Sequence, residues 1–182
     1  MKIVVHGTNW IGDAVMSVPA LRRLRSLFPN AHLTLYSRSW ASGIFEDSDF
    51  IDEILSPPGK SFFNEAKIWN KERFDLAVLF TNSFRTALIA KFGGARRRFG
   101  YANEGRGLLL SDSIAVPSWK SSRHENYYYL NLVHEVEKGV LGTDTSGSMP
   151  LNGAIEVSTQ RRESARVLLD NAGIDLTKPV VG

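Results

Sequence analysis

Apolar residues fall along this chain as short continuous runs separated by segments with helical spacing, the pattern of strands and helices that alternate. Lys2-Ile3-Val4-Val5-His6 reads as a buried strand bounded by Gly7, and Ala14 through Phe28 carries apolar residues on one helical face. His32 to Tyr36 alternates and is β-rich, which predicts a second strand, followed by a short helix near Trp40 to Phe45. Ile51 to Leu55 reads as a third strand stopped by Pro57-Pro58, and Phe62 to Lys71 as a helix. Asp75 to Phe80 is nearly all apolar, as expected of a strand in a parallel sheet covered on both faces. After the polar loop Thr81-Asn82-Ser83 comes a helix from Phe84 to Phe92 that stops at Gly93-Gly94, and Arg97 to Tyr101 returns as a strand.

Beyond this point the signal weakens. Ala102 to Ser122 is rich in Gly, Ser, Asn and charge and reads as long loops, with a brief pairing at Ile114-Ala115-Val116. A helix resumes from His124 to about Val140, Gly142 to Gly153 has linker composition, and Ser158 opens a last helix running to about Asn171. Lys178 to Gly182 has the form of a strand just beginning. The expected organisation is one α/β domain over residues 1–178, with 179–182 opening a second domain. The fold class predicted is a Rossmann-like, mostly parallel sheet with helices on both faces.

A length of 182 residues with 43% hydrophobic positions supplies one core of ordinary size. The absence of cysteine excludes disulfides and thiolate metal sites, and no segment reaches the ~20 apolar residues that span a bilayer, which predicts a cytoplasmic protein. Although the formal charge is only +3, basic residues cluster at Arg22-Arg23-Arg25, at Arg96-Arg97-Arg98 and around Lys120 to Arg123. Such clusters suit an anionic ligand or lipid surface, or are simply solvated faces, the reading favoured for the first of them.

Candidate chemistry concentrates at Asn9-Trp10-Ile11-Gly12-Asp13, read as the loop between the first strand and the first helix, where open α/β sheets bind ligands. Asp13 there is either a helix N-cap or a carboxylate facing the crevice; Gly12 would admit another molecule to the backbone, and Trp10 would wall the site. A raised pKa would then suit it to take a proton from an alcohol. Gly7 and Gly12 do not make the Gly-x-Gly-x-x-Gly dinucleotide fingerprint, and no Lys-Ser or Lys-Thr follows for a phosphate loop. A nicotinamide-dependent dehydrogenase is therefore disfavoured. Asn82 and Ser83 form a second polar strand-end loop able to hold a sugar hydroxyl, unless Ser83 only caps the next helix. Of Tyr127, Tyr128 and Tyr129, one or two belong to the core. No His and carboxylate spacing suggests a metal site, and no Gly-x-Ser-x-Gly elbow is present.

With Asn9-Trp10-Ile11-Gly12-Asp13-Ala14-Val15-Met16-Ser17 and Pro19-Ala20-Leu21-Arg22 in view, the sequence resembles the ADP-heptose:lipopolysaccharide heptosyltransferases, glycosyltransferase family 9. Two further blocks, Phe74 to Ala87 and Arg98-Phe99-Gly100-Tyr101, follow in order at suitable separations. The resemblance covers roughly Met1 to Gly139. It implies the N-terminal, acceptor-binding half of a GT-B fold, the nucleotide sugar being held by a C-terminal domain absent from this chain.

The resemblance further implies that Asp13 is a general base. It would deprotonate a heptose hydroxyl of an inner-core acceptor of the heptosyl-Kdo2-lipid A type, which attacks ADP-L-glycero-D-manno-heptose with inversion. Asn9, Trp10, Gly12, Asn82 and Ser83 are the corresponding acceptor-site positions, with Lys60, Arg98 and Arg123 as candidates to meet its acidic groups. No cofactor or metal is implied, no nucleic acid is a partner, and contact is expected with the cytoplasmic face of the inner membrane. The chain alone would be inactive. One departure is His6, where many relatives carry Arg or an apolar residue at the strand end, so any acceptor contact made there must differ. The competing reading is a non-catalytic α/β module that binds an anionic glycan or nucleotide, with Asp13 structural.

Overall fold

The computed structural model describes residues 1–145, 152–175 and 177–178. Among these, six strands form one wholly parallel sheet: β1 (Lys2–His6), β2 (His32–Tyr36), β3 (Glu53–Leu55), β4 (Leu76–Leu79), β5 (Arg97–Tyr101) and β6 (Asp112–Ile114). The spatial order is β3-β2-β1-β4-β5-β6. The chain thus winds outward from β1 to β3, then returns to the centre and winds the other way. β1 and β4, neighbours in register from Ile3 opposite Leu76 to His6 opposite Leu79, flank the point where the winding reverses. In such sheets the crevice beyond the strand C-termini at that point is where ligands sit.

Helices cover both faces, as the all-apolar strands require. On one side lie α1 (Ile11–Leu27) and, beside it, α5 (Glu125–Leu141), packed over a core that includes Ile3, Val5, Leu33, Val78 and Phe99. On the other lie α3 (Phe62–Glu72) and α4 (Phe84–Phe92), over Val4, Tyr36, Trp69, Ala77 and Leu79. The alternating side chains of β1 feed the two cores in turn, Ile3 and Val5 to one and Val4 to the other. α5 lies close on β5 because Gly139 has no side chain: a Cβ there would stand 2.8 Å from the Phe99 ring.

Two further helices are the single turn α2 (Ser39–Ser42) and the longer α6 (Thr159–Asn171). Ser158 caps α6 through the amide of Arg161, as its position before the apolar pattern predicts. Within the segment expected as long loops, the chain forms a 3-10 turn at Arg106–Leu109 and then β6, which begins two residues before the predicted pairing. The strand expected at the C-terminus, and with it the start of a second domain at 179–182, lies outside the described residues. So does half of the Gly142 to Gly153 linker, residues 146–151.

The first basic cluster is consumed by the fold. Arg22 pairs with Asp49 and Glu156, Arg23 with Glu137, and Arg25 with Asp52. Arg97 likewise pairs with Asp112 across β5 and β6, and Lys120 with Glu125. Among the described residues no helix is long and apolar enough to cross a membrane.

Candidate active site

α1 begins at Ile11, three residues before the apolar periodicity starts, so Asn9 and Trp10 lie on the loop while Gly12 and Asp13 belong to the first helical turn. This corrects the expectation that all five residues are loop. Trp10 occupies the N-cap without a side-chain capping bond, and Asp13 sits in the first turn rather than at the cap. The carboxylate is therefore not consumed by the backbone as a cap would be. Among the described residues it accepts no hydrogen bond and forms no ion pair with a protein group.

Asp13 faces a cleft of about 230 Å³ walled by Asn9 and Trp10 from the end of β1, by Asn82 and Ser83 from the end of β4, and by Glu125 and Tyr129 from the start of α5. Two polar strand-end loops, some seventy residues apart in the chain, thus meet at the sheet's reversal point. Burial is the main cause that raises the Asp13 pKa above the ordinary carboxylate value; the like charge of Glu125 raises it further, and Lys120 partly offsets both. Glu125 is itself held by Lys120 through both carboxylate oxygens at 3.1 Å. Tyr129, buried and opposite, has its hydroxyl pKa raised by burial and by the Asp13 charge.

The charge arrangement gives a direct expectation. Glu125→Gln removes the like charge and frees Lys120 to act on Asp13 alone, so the Asp13 titration midpoint, followed by carboxyl carbon NMR, moves down toward the ordinary value. An unchanged midpoint would show that Glu125 exerts no field at the cleft.

Gly12 meets open space: a Cβ built there would touch no protein atom within 4 Å. The fold itself therefore does not demand glycine at this position. Trp10 is 75% exposed at the cleft mouth, and the nearby Trp40 donates its indole N–H to the Asn9 carbonyl at 3.0 Å, bracing the loop.

On the β4 side the side chains are more engaged. Ser83 is the N-cap of α4, accepting from the Thr86 amide at 3.2 Å. Asn82 accepts at Oδ1 from Arg106 at 3.3 Å and donates to the Tyr128 hydroxyl at 3.1 Å, so its amide is oriented by the protein at both ends. Tyr128 in turn stacks on Tyr101 with centroids 4.0 Å apart. Tyr128 and Tyr129 are core residues and Tyr127 is half-exposed, the division expected of three successive helical tyrosines.

Arg106 escapes a reading of the sequence. It is 0% exposed, yet no carboxylate pairs with it among the described residues. Its donors go instead to the Tyr101 carbonyl at 2.6 Å, to the carbonyls of Thr81 and Ser83, and to Asn82. Burial lowers its pKa to about 10, so it stays charged and sets a fixed cation behind the Thr81–Ser83 loop. The signal that could have found it is Gly100, where a Cβ would stand 3.0 Å from the guanidinium.

The structure does not bring the basic candidates together. Arg98 lies toward the start of β5, away from the crevice, with its guanidinium on the carbonyls of Leu109 and Ala95. Arg123 is exposed in the loop before α5, over the rings of Trp119 and Tyr127. Lys60 lies in the exposed β3–α3 loop, its carbonyl accepting from Arg85 at 3.0 Å. Among the described residues no group of three or more His, Asp and Glu side chains is placed to hold a metal ion.

A parallel sheet in this order, with its carboxylate and polar loops at the reversal point, is the architecture of one half of a GT-B-type glycosyltransferase. No family model matches the chain. It is similar to heptosyltransferases, heptosyltransferase II among them. Over 119 residues it is 30% identical to lipopolysaccharide heptosyltransferase 2 of Escherichia coli K12, an alignment covering 62% of this chain and 34% of that protein. The solved structure of E. coli ADP-heptose lps heptosyltransferase II superposes with a TM-score of 0.78 at 25% identity, covering 98% of this chain and 53% of that one. A glycosyl transferase family 9 structure from Veillonella parvula superposes with a TM-score of 0.76 at 18% identity over 97% of this chain and 51% of its own, a likeness of fold. The chain therefore spans about a third of the length of the curated relatives it matches, and about half of the solved ones.

Proposed function

We propose that this chain is the acceptor-binding half of a heptosyltransferase, with Asp13 as the general base. The observation that carries the reading is an unpaired carboxylate with a raised pKa at the β1–β4 crevice of a chain similar to lipopolysaccharide heptosyltransferases. The acceptor is a heptose of the lipopolysaccharide inner core, and the donor is ADP-L-glycero-D-manno-heptose. Asp13 takes the proton of the acceptor hydroxyl as its oxygen attacks the anomeric carbon of the donor. The bond from that carbon to the diphosphate oxygen breaks on the opposite face, its electron pair leaves with ADP, and the configuration inverts.

A carboxylate with a raised pKa is matched to this task, because it is a stronger base than a solvated one. Trp10 walls the sugar, and the Asn82 amide, preset by Arg106 and Tyr128, fixes the polar side of the cleft. The acceptor carries a lipid, which places the reaction at the cytoplasmic face of the inner membrane.

Contacts to the adenine, ribose and diphosphate fall to the portion of the relatives that this chain does not match. The 182-residue chain is accordingly expected to bind a core oligosaccharide but to release no ADP when mixed with ADP-heptose and acceptor, as read by a coupled ADP assay. Sustained ADP release by the chain alone would contradict the division of labour between two halves.

A further inference from the structure

On the far side of Asn9 and Ser83 from Asp13 lies a second, smaller cavity of about 70 Å³, and those two residues wall both spaces. It is lined by His6 and Tyr36 at the strand ends, by Ser37 and Arg38 just after β2, and by Glu65 and Arg85 from α3 and α4. At ~30 Å³ per water this is room for about two water molecules, hence for one small oxyanion and not for a sugar ring.

Its polar groups are left with unused donors. The Arg38 guanidinium makes no hydrogen bond or ion pair among the described residues and rests only over the Trp40 ring, 5.7 Å from its centroid. The Ser37 hydroxyl, on a residue 4% exposed, likewise has no partner among them. Arg85 is pinned at one nitrogen, Nη2, which donates to Glu65 and to the Lys60 carbonyl, so its Nε and Nη1 stay available.

One carboxylate opposes an anion here, and it is occupied. Glu65 receives Arg85 on one oxygen and the Tyr36 hydroxyl, at 3.1 Å, on the other. Against that single negative charge stand Arg38, Arg85 and the buried Arg106, a net excess of positive charge. The field reaches the cavity wall: His6 is held neutral, its pKa lowered to about 4 chiefly by burial, with the charges of Arg38 and Arg106 adding to the effect against the opposing bond to the Gly7 carbonyl.

We propose that this cavity is an oxyanion subsite, in which Arg38, Arg85 and Ser37 take one phosphate or carboxylate group carried by the same acceptor whose hydroxyl reaches Asp13. The proposal rests on the reading of the Asp13 cleft as the acceptor site, and it gives the acceptor a second, charged point of attachment across the Asn9–Ser83 wall. Two fixed points, one neutral hydroxyl and one anion, select a sugar bearing an acidic group at a set distance from the attacking oxygen. A bidentate guanidinium contact at Arg38 is the source of that selectivity.

The test titrates the chain by calorimetry with three probes, a neutral methyl heptoside, its phosphate monoester and a heptoside bearing a sugar-acid carboxylate, together with inorganic phosphate. The expected result is that at least one acidic glycoside binds roughly tenfold or more tighter than the neutral one. Arg38→Gln should erase that preference while leaving neutral heptoside affinity unchanged; Arg38 is half-buried and forms no ion pair or side-chain hydrogen bond among the described residues, so the fold does not depend on its charge. Which acidic glycoside gains identifies phosphate or carboxylate as the group held. Equal affinities for acidic and neutral probes, or a preference that survives Arg38→Gln, overturns the subsite while the acceptor cleft stands. Arg38-dependent binding of inorganic phosphate with no glycoside bound at all supports the subsite and overturns the sugar reading instead.

Discussion

Asp13→Asn in the full-length transferase proposed above is expected to lower kcat by about 10²–10⁴-fold, the range over which a positioned general base contributes, with little change in acceptor KM. Asn preserves the volume of the side chain at the cleft wall and removes only its ability to take a proton. Stability should not fall with it. Because the folded-state pKa of Asp13 is raised, the folded protein binds this proton more tightly than the unfolded chain does. The contribution to stability is therefore present below the ordinary carboxylate pKa of 3.8 and is lost as pH rises through the raised value. Once ionised, the carboxylate is disfavoured by its partial burial, a cost which the amide does not incur. Against this stands the favourable interaction of an acidic first-turn residue with the start of α1, worth about 0.3–1 kcal/mol at exposed sites. The two effects oppose, so urea midpoints of variant and parent at pH 7 should nearly coincide. A variant that folds normally and transfers at the parent rate would leave Asp13 as a helix-start residue and remove the proposed mechanism.

The physics that places Asp13 also explains where sequence reasoning reached and where it stopped. β1, α4 and β5 run as the pattern of apolar residues and glycines predicts, because each is defined by burial on the faces of one sheet or by a Gly-Gly stop. The onset of α1 is different: Ile11 is 55% exposed and Gly12 is open, so its first turn carries no apolar signature, and no side-chain cap announces it. The carboxylate was legible as a candidate, but its place inside the helix was not. The polar loop at Asn82 and Ser83 was legible from its position after an all-apolar strand. Its internal wiring was not, since one of its partners comes from a 3-10 turn in a segment with no periodicity. Arg38 and Arg85 carry no signal of their own either. What distinguishes them from the clustered arginines of α1 is that, among the described residues, Arg38 has no counter-charge and Arg85 keeps a free edge, which only three-dimensional neighbours decide.

Arg106 is the residue whose loss should disturb both fold and site most. Its guanidinium replaces the water that the Tyr101, Thr81 and Ser83 carbonyls and the Asn82 amide oxygen would otherwise bind. Arg106→Met keeps much of the volume but leaves the Thr81 carbonyl and the Asn82 amide oxygen without a donor, at about 1–3 kcal/mol for each one that water cannot reach, while the Tyr101 and Ser83 carbonyls keep the Asn103 amide and the Thr86 hydroxyl. Removing an uncompensated buried charge returns part of that cost, because the cation itself was taken out of water without a carboxylate to meet it. The lost hydrogen bonds outweigh the relief, since two acceptors have no other protein donor among the described residues, and a net destabilisation of about 1–3 kcal/mol is expected from urea unfolding of the 182-residue chain. Arg106→Lys separates charge from geometry. An ammonium group keeps the cation but is a point donor that cannot serve Tyr101 on one side of the fork and Asn82 on the other. The lysine variant should therefore unfold closer to the parent yet bind core oligosaccharide more weakly, because Asn82 loses the partner that turns its amide toward Tyr128. A methionine variant that unfolds at the parent midpoint would show that the β4 loop holds its shape without the guanidinium. A lysine variant with parent-like glycan affinity would show that the charge alone, and not the fork, prepares the acceptor side of the cleft.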